Sequence, residues 1–150
     1  MPASTDGRTP KAKCAFCAII RGETIATTIT ETEHLLAFLD HRPLFPGHTL
    51  LIPRTHYETL TDLPAAESGP LFERTRLLCA AVQEATGAQG TFVAVNNRIS
   101  QSVPHLHVHI VPRREKDGLK GFFWPRTKYQ NEEEIRKIQT AIQTAIERLR

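Results

Sequence analysis

Residues 104–113 read "PHLHVHIVPR" and place His105, His107 and His109 at alternate positions. In an extended strand, residues two apart share a face, so the three imidazoles project together while Leu106, Val108 and Ile110 turn toward a core. A rise of about 3.3 Å per residue sets neighbouring rings about 6.6 Å apart and the outer pair about 13 Å apart. One metal ion can take two of these rings, and three on one ion is awkward, so the rings divide between different jobs. The plain reading is the solvent side of an amphipathic strand. Such faces usually mix Thr, Lys, Glu and Ser, whereas a row of rings that titrate near neutrality suits nucleophilic or acid–base work. The preceding loop offers Asn96, Asn97, Gln101 and Ser102, polar groups suited to an anionic ligand.

Outward from this strand, turn signals separate strand-like runs at 26–30, 35–39 and 49–53, and "TFVAVNN" reads as a further strand. Pro112 is expected to stop the histidine strand. "CAFCAIIRGE" reads as a short helix stopped by Gly22. Apolar spacing over 65–86, ended by Gly87, predicts a long helix. Asn131 and Glu134 resemble a capping box ahead of a last helix with Ile135, Ile138, Ile142, Ile146 and Leu149 on one face. Strands grouped around a long helix, without regular alternation, predict an α+β fold: a five-stranded antiparallel sheet, one long helix and a C-terminal helix.

A chain of 150 residues, 40% apolar, suits one domain with its own core. We expect that domain to run over 14–150, with a core at 14–113 and a C-terminal specificity or dimer segment at 114–150. The polar opening 1–13 reads as a disordered tail rather than a signal peptide. No apolar run nears the roughly 20 residues that cross a bilayer. A soluble, cytoplasmic protein is expected, with no membrane partner. The net charge of +3 comes from 19 basic and 16 acidic residues and sits partly in the tail. It gives no case for a nucleic-acid partner. Three cysteines are too few for a disulfide framework; Cys79 reads as a small core hydrophobe. Cys14 and Cys17 form a C-x-x-C pair. With two imidazoles, two thiolates fit tetrahedral zinc; reduced, uncoordinated cysteines are the alternative.

The His-x-His-x-His run followed by two apolar residues resembles the histidine triad (HIT) family of nucleotide hydrolases and transferases. "CAFCAIIRGE", "LAFLD", "PGHTLLIPRTHYE" and "QSVPHLHVHIVPR" occur in the order and spacing of its Hint-like branch, over roughly residues 14–113. The resemblance implies a HIT-like fold and a purine nucleotide hydrolase cleaving at the α-phosphate. His107 would be the nucleophile, forming a nucleotidyl-histidine that water resolves to AMP or GMP. Its other ring nitrogen would be held by a backbone carbonyl of the triad strand. His109 would donate to the phosphate, and Gln101 and Ser102 would contact the phosphate or the leaving group. Asp40 would accept the ribose hydroxyls, or serve as a turn residue. Phe16, Ile19 and Phe38 would wall the base, core packing being the other reading for the two phenylalanines, and Asn96 would touch the sugar-phosphate. Cys14, Cys17, His56 and His105 would hold a structural zinc that the chemistry itself does not require; His105, counted among the catalytic histidines, would with zinc bound support the site and do no proton transfer. His48 would pack and orient its neighbours. The same resemblance implies a homodimer.

Two departures stand out. Family members carry a longer glycine-rich loop, N-G-x-x-x-G-Q, where this chain has "NNRISQS"; Arg98 there is either a substitute charge for the phosphate or a solvated loop cation. "KDGLKGFFWPRTKY" offers no match to carry over, and Trp124, with Phe122 and Phe123, reads as a dimer contact, a lid or a core edge. The competing functions are a nucleotide-binding protein with incidental catalysis, a nucleotidyl transferase or phosphorylase, and a metal hydrolase that uses the histidine row as ligands.

Overall fold

A single antiparallel sheet organises the chain, in a computed structural model that describes residues 11–119 and 125–149. After a 3₁₀ turn at Lys11–Lys13 come α1 (Ala15–Ile20), β1 (Thr28–Glu31), β2 (Leu35–Leu39), β3 (Thr49–Pro53), α2 (Ala65–Thr86), β4 (Gly90–Ala94), β5 (Val108–Arg113) and α3 (Glu132–Leu149). The strands lie in the order β1-β2-β3-β5-β4. The expected α+β architecture with five antiparallel strands is the one observed.

β5 enters between β3 and β4, so His109 lies between Leu50 of β3 and Ala94 of β4. The apolar runs of β2 and β3 are buried on both faces. Ala37, Leu51, Leu106, Val108 and Ile110 pack with Leu71, Leu78 and Val82 of α2. Leu36, Phe38, Leu50 and Ile52 pack on the opposite face with Cys14, Phe16 and Cys17 of the α1 segment. Each large apolar side chain buried this way contributes about 1.5–3 kcal/mol. Cys79 is half-buried and packs against the α2-side cluster.

α2 ends where glycine permits it: Gly87 adopts φ +65°, and Ala88 N–H returns to the Gln83 carbonyl at 3.1 Å. Arg114 then donates to the freed Thr86 and Gly87 carbonyls, a cation at a helix C-terminus.

The histidine segment departs from expectation at both ends. His105 and His107 precede the ladder, because Leu106 N–H donates to the Tyr57 carbonyl at 2.6 Å and His105 N–H to Val103 at 2.8 Å. At the far end β5 runs through Pro112, which pairs with Thr91 of β4. The β3 ladder has already ended at Thr49–Ile110, so a residue without an N–H is accommodated there.

The chain divides into two units after Asp117. In the second, Asn131 Oδ1 accepts the Glu134 N–H at 2.8 Å while the Glu134 carboxylate accepts Gln130 N–H at 2.6 Å. Ile135, Ile138, Ile142, Ile146 and Leu149 are all exposed along α3. The readings placed on Phe122, Phe123 and Trp124 fall outside the described residues, as does most of the expected tail. Among the described residues no helix is long and apolar enough to cross a membrane.

Candidate active site and metal centre

The face of the sheet under α1 carries a cavity of about 570 Å³. Phe16, Ile19, Phe38 and Leu50 form its apolar side; Asp40, Ser102, His107 and His109 give it polar groups. Phe16 stands edge-on to His107 with ring centroids 5.1 Å apart, and edge-on to Phe38 at 5.4 Å. Phe16 and Phe38 therefore serve the core and the cavity wall at once. Asp40 likewise does two things: its Oδ1 accepts Arg42 N–H at 2.9 Å, a local turn contact, while the residue lines the cavity.

The three histidines are held differently. His107 Nδ1–H donates to the His105 carbonyl at 2.7 Å, which leaves its Nε2 with a lone pair. His105 Nε2–H donates to the Pro53 carbonyl at 2.8 Å, which leaves the lone pair on Nδ1. His109 Nδ1 lies 3.0 Å from His48 Nε2, and Leu44 N–H donates to His48 Nδ1 at 3.1 Å. With His48 neutral, its proton is on Nε2, His109 accepts at Nδ1, and His109 carries its own proton on Nε2. Burial keeps these rings neutral: it lowers His48 and His107, and with the nearby histidines holds His109 down at about 4.

His48 packs against and orients His109, the kind of role the sequence analysis gave it. It shares the parity of Leu50 and Ile52 along one extended segment, and that parity was the available signal that it faces the histidine row. His34 and His41 are exposed.

Asn96 and Gln101 are not among the cavity walls. Asn96 donates to the Ser100 carbonyl at 3.2 Å. Gln101 Oε1 accepts Arg98 N–H at 2.8 Å and its Nε2 donates to the Glu58 carbonyl at 2.6 Å, so its amide is spent bracing the loop. Arg98 and Ser100 hold φ of +68° and +59°, left-handed backbone within the loop where glycine was expected. The Arg98 guanidinium reaches Glu58 Oε1 at 3.5 Å, and Arg98 too is absent from the cavity walls.

Cys14, Cys17, His56 and His105 converge beside the cavity. Cys14 caps α1, its Sγ accepting Cys17 N–H, so the first helical turn presents both sulfurs together. His105 Nδ1 is 3.5 and 3.6 Å from Cys14 and Cys17 Sγ; His56 Nδ1 is 3.3 Å from Cys17 Sγ and 3.2 Å from His105 Nδ1. Bonds of about 2.3 Å to sulfur and 2.0 Å to nitrogen in a tetrahedron separate S from N by about 3.5 Å and N from N by about 3.3 Å. These four donors fit zinc by type and by spacing. Burial lowers His56 and holds His105 at about 4, so both rings offer lone pairs without losing a proton. Burial also pushes the Cys17 thiol up to about 11.

The HIT domain family model matches residues 21–116. Adenylylsulfatase HINT3 of Arabidopsis thaliana is 39% identical over 108 residues, 71% of this chain but 55% of its own length. Adenosine 5′-monophosphoramidase hnt1 of Schizosaccharomyces pombe is 36% identical over 117 residues, 75% of this chain and 83% of that protein. The crystal structure of a zinc-bound histidine triad family protein from Mycobacterium smegmatis superposes with a TM-score of 0.69 at 36% identity, covering 91% of this chain and 98% of that one. A match across most of the sheet, together with three histidines at alternate positions entering its fifth strand, makes this chain a member of the HIT family.

Proposed function

We propose that this protein is a nucleotide hydrolase that transfers a purine nucleoside monophosphate to His107 and then to water. The observation that carries this reading is the 2.7 Å contact of His107 Nδ1 with the His105 carbonyl, since it leaves Nε2 unprotonated on the cavity wall. His107 Nε2 attacks the α-phosphorus, the bond to the leaving group breaks, and the leaving group departs with a proton taken from solvent. Water then adds to phosphorus and releases a proton to solvent, the P–N bond breaks, and the nucleoside monophosphate leaves with His107 restored. His109 Nε2–H donates to the phosphate oxygens as charge shifts onto them, and Ser102 is placed to do the same. Asp40 receives the ribose hydroxyls, and Phe16, Ile19 and Phe38 take the base.

The relatives named for adenylylsulfate and adenosine 5′-monophosphoramide chemistry support a substrate in which an adenylyl group carries a small leaving group. Dinucleoside polyphosphates and aminoacyl-adenylates present the same phosphorus. A structural zinc on Cys14, Cys17, His56 and His105 supplies a cross-link between the N-terminal segment and the sheet, outside the chemical steps. A second copy of the chain is the proposed partner, and the cytoplasm the proposed compartment.

Intact-protein mass spectrometry after brief mixing with adenosine 5′-phosphoramidate tests the reading, with released AMP followed in parallel. One transient AMP adduct, absent in His107→Gly, is expected. AMP bound without adduct or turnover would leave a binding protein, and turnover without adduct that stops on chelation would leave a metal hydrolase.

A further inference from the structure

The two imidazoles of the metal centre differ in what lies behind them. His105 has an outer contact, its Nε2–H donating to the Pro53 carbonyl at 2.8 Å, and such a contact fixes the tautomer of a ligating ring. His56 turns Nδ1 to the same point, 3.3 Å from Cys17 Sγ. A neutral ring that ligates through Nδ1 carries its proton on Nε2. That Nε2 is buried and has no hydrogen-bond partner.

Among the described residues the one other buried side-chain N or O in this condition is Glu58 Oε2. Glu58 is 6% exposed, and its Oε1 has a single 3.5 Å contact with Arg98 Nη1. Half of a buried carboxylate thus lacks a donor, and a donor two residues away lacks an acceptor. Each alone is unfavourable; together they are complementary.

We propose that Glu58 is the outer positioning residue of the metal centre: when His56 Nδ1 holds the metal, His56 Nε2–H donates to the Glu58 carboxylate across one water. This rests on the zinc reading given above. Glu58 also reaches the active-site loop, because its carbonyl accepts Gln101 Nε2–H at 2.6 Å and Gln101 Oε1 holds Arg98 N–H. The residue therefore joins the metal centre to the loop that brings Ser102 to the cavity.

The test compares zinc-loaded wild-type protein with Glu58→Gln. Zinc stoichiometry is measured first, then zinc release to a chromophoric chelator. Long-range proton–nitrogen spectra of the His56 ring form an independent readout. We expect one Zn²⁺ per wild-type chain, release about ten- to a hundredfold faster from Glu58→Gln, and faster exchange of the His56 Nε2 proton in the variant. Equal release and equal proton exchange overturn the role of Glu58 and leave the zinc site standing. Wild-type protein that takes up no zinc overturns both. Should Glu58→Gln not fold, Glu58→Asp, which shortens the carboxylate's reach, is read in the same two ways.

Discussion

His48 Nε2 and His109 Nδ1 lie 3.0 Å apart across 61 positions of sequence, and the other nitrogen of His48 accepts Leu44 N–H. The backbone of one loop thereby dictates, through one ring, which nitrogen of the next ring carries a proton. His48→Phe keeps an aromatic in the space but removes the donor. On the proposed mechanism kcat falls about 10- to 100-fold with little change in KM, a fraction of what a positioned proton donor contributes. Steady-state kinetics on a phosphoramidate checks this, and unchanged kcat would show that the His48 contact does not govern His109.

The neutral state of these rings sets an acid limb for stability. His109 is held at about 4 and His48 is lowered, whereas both titrate near 6.5 in an unfolded chain. Between those values the unfolded chain binds more protons than the folded one. Stability therefore rises with pH from about 4 to about 6.5, levels off above that range, and is lost as pH falls. Urea midpoints across pH 4.5–7.5, taken as roughly the span of these pKa values, report the slope. His109→Gln should flatten it; an unchanged slope would remove His109 as a contributor.

Gly47 precedes His48 at φ +102°, and a Cβ built there would lie 2.6 Å from Thr86 Cγ2. Gly47→Ala meets both a backbone penalty and a clash, and is expected to destabilise by about 2–3 kcal/mol. Adding Thr86→Ser removes the methyl but not the backbone strain. The double variant should recover part of the loss, and a full recovery in urea titrations would refute the backbone share.

Ser100 is an exposed serine at φ +59°. The left-handed region costs a non-glycine residue about 1–2 kcal/mol, while glycine costs about 0.5–1 kcal/mol in chain entropy. Ser100→Gly should stabilise by roughly 0.5 kcal/mol, within the resolution of paired denaturation curves. A lower midpoint would mean that the serine makes up for its own strain.

The parts of the fold governed by local pattern were legible in the chain. Leu35–Leu39, Thr49–Pro53 and Ala65–Thr86 have the bounds that turn residues and periodicity predict, and the helix stops at Gly87 as glycine chemistry requires. β1 begins at Thr28 rather than at residue 26, and its pairing with β2 shifts register between Thr28 and Thr30. Strand parity placed the histidines on one face, but it could not show that His105 and His107 lie before the ladder, because the Tyr57 carbonyl that draws Leu106 away comes from a distant loop. Side-chain amides were the least legible. Gln101 has two hydrogen-bonding ends, and its turn toward Arg98 and Glu58 depends on neighbours that only the folded chain supplies.

The insertion of β5 between β3 and β4 also bears on how the candidate site is assembled. Cys14 meets His105 across 91 residues, and the histidine strand docks onto a hairpin formed far upstream. Closing such loops is the slow, entropically costly part of reaching a native topology. Helix α2 and the β2–β3 hairpin need only near neighbours, yet neither contains any of the triad. On the proposed function, return of turnover during refolding should therefore follow, and never precede, the recovery of helical signal, so that turnover would report the last long-range contacts to form.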